Sequence, residues 1–248
     1  MESENNNNII NSNNDNINNN DNNNDNDNDN DNNNDNDNNN NNDIIILPQP
    51  EIKGSLMTIL NQRHSERIEE NNESPKEISL NIISDILWCC YGNNRSMNSS
   101  NINNSYKTVP SALSIYPLII YISNSNGLYK YNSNDNNLNL IIKGDFRDKI
   151  SNENYVKNSN LIVLIFGDLN KYKNYEMNNE YLINNWERLF NFDAALCIEN
   201  IFLYCTENNL KCSINSDLSK ENEIKNLLNL NDDEKENYKF IVSNCINY

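Results

Sequence analysis

PLIIYISNSNGLYKYNSNDNNLNLII, residues 117–142, holds the decision about the fold. Pro117 opens a near-continuous apolar run to Ser123, the pattern of a strand buried on both faces. Gly127 turns the chain, and residues 128–131 and 138–142 read as two further strands, which makes a hairpin-like meander the natural arrangement. Downstream, Gly144 precedes a short helix expected around residues 146–150, and residues 161–166 form a strong buried strand.

From Tyr181 to about Asn208 runs the longest helical pattern, with Leu182, Trp186, Leu189, Asp193, Leu196, Asn200 and Leu203 along one stripe. Ala194, Ile198, Ile201 and Phe202 fill the other sides, so this helix is expected to be apolar almost all round and centrally buried. Residues 211–214 read as a brief extended piece, 221–230 as a helix and 240–242 as a closing strand. Upstream, Leu80, Ile83, Ile86, Leu87 and Cys90 share one helical face within residues 79–91, with Gly92 as its stop. Residues 93–107 read as an irregular surface loop. Ser55 is a candidate N-cap for a short helix carrying Leu56, Ile59 and Leu60 and ending near Arg63. Strands mixed with long helices, outside a strict βαβ order, define the class as α+β.

The first 50 residues contrast with all this: mainly Asn and Asp, without Gly, Cys or an aromatic residue. Such a segment buries too little apolar surface to offset the entropy of ordering it, so residues 1–50 are expected to be a disordered tail before one domain at 51–248. Residues 1–43 carry eleven carboxylates and no Lys or Arg, leaving −6 of the chain's −17 for the remainder. Without a basic stripe, nucleic acid is not expected as a partner. No apolar run approaches the roughly 20 residues that span a bilayer, and no basic segment followed by an apolar one opens the chain, so neither a membrane nor secretion is expected and the cytoplasm is the expected compartment. The six cysteines show no CxxC or CxxH spacing and the chain holds one histidine, which points to reduced core thiols and to no metal.

Two constellations carry chemistry. Arg63, His64, Ser65 and Arg67 follow the first helix, and two forked guanidiniums flanking a hydroxyl make a cradle for a phosphate. Pro110, Ser111, Ala112, Leu113 and Ser114 lead toward Tyr116-Pro117 and the first apolar strand; Pro110 fixes an extended entry, and exposed N–H groups and hydroxyls can lie along a planar heterocycle.

In order, Arg63-His64-Ser65 with Arg67, Leu87-Trp88-Cys89-Cys90-Tyr91-Gly92, Pro110-Ser111-Ala112 through Tyr116-Pro117, Gly127-Leu128-Tyr129-Lys130-Tyr131 and Gly144-Asp145-Phe146-Arg147 resemble the FMN-dependent nitroreductase family, and within it the SagB-type peptide dehydrogenases. The resemblance implies a mostly antiparallel central sheet flanked by helices, with a long buried central helix, in a homodimer holding FMN in two interface clefts. By that similarity Arg63, His64, Ser65 and Arg67 hold the phosphate and ribityl end. Pro110, Ser111, Ala112, Leu113 and Ser114 line the isoalloxazine from the partner subunit, and the backbone near Ser213, Ile214 and Asn215 makes a third contact. The implied activity is hydride transfer from NAD(P)H through the flavin to a small organic acceptor, nitro- or quinone-like or other, with no catalytic side chain required.

The sequence departs from the SagB-type pattern in three ways. Leu113 stands where that branch has Gly, Ala195 replaces a Gly of the long helix and the sequence ends at Tyr248 without the basic segment that often adds a phosphate contact, and Glu180-Tyr181-Leu182 stands in place of the Lys-Tyr pair of azoline-oxidising members. Weaker FMN affinity is therefore expected, and peptide azoline dehydrogenation is the less favoured activity. The competing reading is a catalytically degenerate nitroreductase-like module that binds flavin or a partner without turnover.

Overall fold

The computed structural model describes residues 49–67, 76–96, 105–176 and 179–248, and of these residues 50–248 form one compact unit. The low-complexity segment expected to be a tail lies outside the described residues apart from its last two. In chain order the elements are α1 (Gly54–Gln62), α2 (Leu80–Tyr91), β1 (Asn93–Ser96), β2 (Ser105–Lys107), β3 (Leu118–Ser123), β4 (Gly127–Asn132) and β5 (Asn137–Lys143). Then follow α3 (Asn154–Lys157), β6 (Leu161–Asp168), α4 (Asn170–Lys173), α5 (Asn179–Asn184), α6 (Trp186–Glu207), β7 (Lys211–Asn215), α7 (Glu221–Leu227), α8 (Asp232–Asn237) and β8 (Tyr238–Asn247).

Six strands form one sheet in the order β5-β4-β3-β6-β8-β7, every pair antiparallel. Residues 117–142 do build the β3-β4-β5 meander. β6 is its buried axis: all six side chains from Leu161 to Phe166 are without solvent exposure, each worth about 1.5–3 kcal/mol of burial. Because successive side chains alternate, Leu161, Val163 and Ile165 pack with α2 and α6 on one face. Ile162, Leu164 and Phe166 pack with α3 and α7 on the other. A third cluster, Tyr172, Leu182, Leu189 and Phe190, fills the space under α4, α5 and the start of α6.

α2 matches its sequence pattern, with the Ser79 hydroxyl accepting from the Ile82 N–H at 3.4 Å and Gly92 as C-cap. The short helix near residues 146–150 is a 3-10 turn, Arg147–Lys149. Four expectations need correction. Residues 93–107 are not a plain loop: β1 and β2 pair, with Arg95 opposite Tyr106 and its guanidinium 4.5 Å from the ring centroid, a cross-strand contact. The helix expected from Tyr181 is two helices, broken at Asn185 (φ −120°, ψ 14°), whose amide donates back to the Tyr181 carbonyl at 2.8 Å. α6 is not apolar all round either: it buries Leu189, Phe190, Asp193, Ala194, Cys197, Ile201, Phe202 and Cys205, and turns Phe192 and Leu196 to solvent. The closing strand is far longer than residues 240–242, because β8 runs the full length of β6 and separates it from β7. All six cysteines are free thiols, and no described helix is long and apolar enough to cross a membrane.

Candidate functional site

Residues 63–67 leave the C-terminus of α1 and run beside β7, the edge strand of the sheet. An edge strand offers unpaired backbone groups, and one of them is used here: the Glu66 N–H donates to the Cys212 carbonyl at 2.9 Å. Glu66 is further tied to β7 by Lys211, whose ammonium is 3.0 Å from Oε1 and whose hydrogen bond holds the Glu66 carboxyl below its ordinary range.

The two arginines diverge from this anchor. Arg63 lies against α6, its Nε 3.7 Å from Glu199 Oε1 and its guanidinium 5.4 Å from the Phe202 ring centroid. Arg67 stacks 4.6 Å from the centroid of Tyr155 on α3, and Tyr155 donates to the Ile214 carbonyl at 3.3 Å. Arg67, Tyr155 and the end of β7 thus form one cluster. Ser65 is exposed beside them, while His64 faces solvent with Nδ1 2.9 Å from the Gln62 carbonyl and Nε2 3.6 Å from Glu66 Oε2.

Of the three β7 residues read from sequence, Ser213 and Asn215 are buried and only Ile214 is exposed. Asn215 is committed inward, donating to Ser243 Oγ at 3.2 Å. Of these three residues only the Ile214 side chain faces solvent, and the Ile214 carbonyl is engaged by Tyr155.

The second group is built on the loop before β3. Ser111 Oγ donates to Asp193 Oδ2 at 2.6 Å and accepts from the Tyr116 N–H at 3.1 Å, so one hydroxyl closes the loop and pins it to α6. Burial pushes the Asp193 carboxyl up to about 6, although the Ser111 hydroxyl favours its charged form. Ala112–Ser114 make a 3-10 turn, in which Leu113 and Ser114 take φ of 52° and 56°, and Tyr116 follows at 52°. These are left-handed conformations that favour Gly, and Leu113 holds one with its side chain half in solvent. Pro110, Ser111 and Ser114 line a cavity of about 300 Å³ together with Arg95 and Tyr106 of the β1-β2 hairpin.

The structure thus joins residues 63–67 to residues 213–215, while the loop at 110–114 lines a different cavity from the one lined by His64 and Glu66. Sequence reasoning missed Tyr155, Asp193 and Arg95. A carboxylate in the apolar stripe of α6 was the available sign for Asp193; Tyr155 and Arg95 had none, since each reaches the site through tertiary packing.

No family model and no curated sequence matches the chain. Solved structures do match its fold. A protein assigned as a nitroreductase from Ralstonia eutropha superposes with a TM-score of 0.61 at 23% identity, covering 81% of this chain and 87% of that one. A protein assigned as a nitroreductase from Desulfovibrio desulfuricans, solved in complex with FMN, gives 0.51 at 14% identity over 78% and 86%. A protein assigned as an NAD(P)H:FMN oxidoreductase from Staphylococcus epidermidis gives 0.51 at 14% over 82% and 90%. An antiparallel sheet layered between helices defines the class. The chain has the nitroreductase fold.

Proposed function

We propose that this chain is an FMN-dependent oxidoreductase that takes hydride from NAD(P)H and delivers it to a small organic acceptor of nitro or quinone type. The observation that carries the reading is the cluster of Arg67, Ser65 and the edge strand β7: a guanidinium held on a tyrosine ring and in no ion pair among the described residues, beside an exposed hydroxyl. The residues present fit a flavin phosphate, because a forked cation and short donors match its oxygens. Arg63 adds a second positive charge, and His64 stands at the rim.

When bound, FMN supplies the hydride chemistry. The chain's own residues bind and orient. Arg67 and Ser65 fix the phosphate end, the backbone near Ser213, Ile214 and Asn215 fixes the middle, and residues 110–114 wall the ring from a second subunit. Asp193 holds that wall through Ser111 and acts as a positioning residue. The homodimer follows from this division of the site, and α6 carries a suitable face in exposed Phe192, Ala195 and Leu196. Leu113 favours a second reading, a flavin-binding module without turnover, because its exposed side chain stands on the ring-facing loop.

The deciding experiment is the absorption spectrum of the purified protein with added FMN, followed by anaerobic NADH or NADPH. A bound flavin spectrum that bleaches is the expected result. Binding without bleaching selects the module, and failure to bind FMN overturns both.

A further inference from the structure

A third cavity gathers cations in a chain whose net charge is −17. It measures about 640 Å³, within the range of small-molecule pockets, and is lined by Lys107, Lys130 and Lys171 together with Tyr91, Tyr116 and Tyr131. No acidic side chain is among its described lining residues. Lys107 is fixed in place: its ammonium donates to Asn93 Oδ1 at 2.6 Å and to Ser133 Oγ, and stands 5.2 Å from the Tyr91 ring centroid.

Among the described residues none of the three lysines forms an ion pair. Asp168 is the carboxylate whose field reaches both Lys130 and Lys171, but it lines the neighbouring cavity, and burial raises its own pKa in spite of them. Burial, and after it the charge on Lys171, pulls the Lys107 ammonium down to about 8. A partly desolvated Lys107 beside the charge of Lys171, with no ion pair among the described residues, is unfavourable unless an anion joins them.

We propose that this cavity binds a small organic anion, a carboxylate or a phosphate ester, with its charge against Lys107 and Lys171 and its body on the tyrosines. The site is separate from residues 63–67. Its wall includes Ser114, Ile115 and Tyr116, so an occupant braces the loop that Ser111 pins to Asp193.

The test uses the full chain with inorganic phosphate and with citrate as probes at constant ionic strength, read by calorimetry and by acylation of Lys107 followed by peptide mass spectrometry. Saturable binding of at least one probe, with a dissociation constant at or below about 1 mM and protection of Lys107, is expected. Preference for phosphate assigns the phosphate ester, and preference for citrate the carboxylate. K107M and K171M should each weaken binding about tenfold, the loss of one charged contact. Lys171 is exposed, so K171M folds even if K107M does not. Absence of saturable binding by both probes, or binding that survives K171M and any folded K107M unchanged, overturns the proposal.

Discussion

Ser111 Oγ lies 2.6 Å from Asp193 Oδ2, which fastens the loop before β3 to the middle of α6. The carboxyl it meets is buried and titrates near 6, above the value of about 3.9 for an unfolded Asp. Between about pH 4 and 6 the folded chain therefore holds more proton at this group than the unfolded chain does, so this group's contribution to stability falls as pH rises through that window. The penalty is complete by about pH 7, at about 3 kcal/mol. D193N keeps a carbonyl for Ser111 and removes the charge. Denaturant unfolding should show the variant gaining on the wild type from pH 4 to pH 7; parallel profiles would refute the assignment.

Leu113 at φ 52° holds a backbone conformation that disfavours a side chain by about 1–2 kcal/mol. L113G should remove that strain and lose little contact, because the side chain is half exposed. A net gain of about 1 kcal/mol is expected after the greater chain entropy of Gly, read as a higher denaturant midpoint at unchanged slope. If Leu113 also limits access to the flavin, FMN bleaching by NAD(P)H accelerates in the same variant. A lower midpoint would mean that the leucine packs against something the loop needs.

Gly167 ends the buried part of β6, and a Cβ there would run into the ring of Phe190. G167A must push that ring out of its place against Tyr172, 5.0 Å away between centroids. Overpacking of this kind costs about 1–3 kcal/mol. Thermal unfolding should fall by about 2–4 °C for each kcal/mol in a chain of this size. An unchanged midpoint would show that Phe190 is free to move, in which case the anchoring of α6 on β6 depends on other contacts.

The fold was legible where burial dictates pattern. Residues 161–166 are apolar throughout because both faces of β6 are covered, whereas the turn expected at Gly127 lies just before it, closed by the Asn124 side chain, and Gly127 opens β4. The β1-β2 pairing was illegible because its cross-strand contacts, Arg95 with Tyr106 and Lys107 with Asn93, are polar and lie amid Asn and Ser with little β-propensity. The break at Asn185 hid for a related reason: apolar periodicity continues across it, and the signal is one side-chain hydrogen bond. In the site, the string Arg63 to Arg67 stood out by residue type. That Arg67 would rest on Tyr155, nearly ninety positions away, depends on the register of α3 against β7, which no local pattern encodes.

Arg67 gives the most direct test of the proposed cradle, because its contact is with a ring and among the described residues it forms no ion pair. R67Q keeps a donor and removes the cation. A hydrogen bond to a charged partner contributes about 1.5–3 kcal/mol, so FMN affinity should fall by about ten- to a hundredfold. Riboflavin, which lacks the phosphate, should bind wild type and variant alike, and flavin fluorescence quenching reads both ligands in one format. Equal loss for FMN and riboflavin would place the effect in the packing of Tyr155 and β7 instead of at a phosphate. No loss for either would remove Arg67 from the site and leave Arg63, already engaged with Glu199, as the remaining cation of the motif.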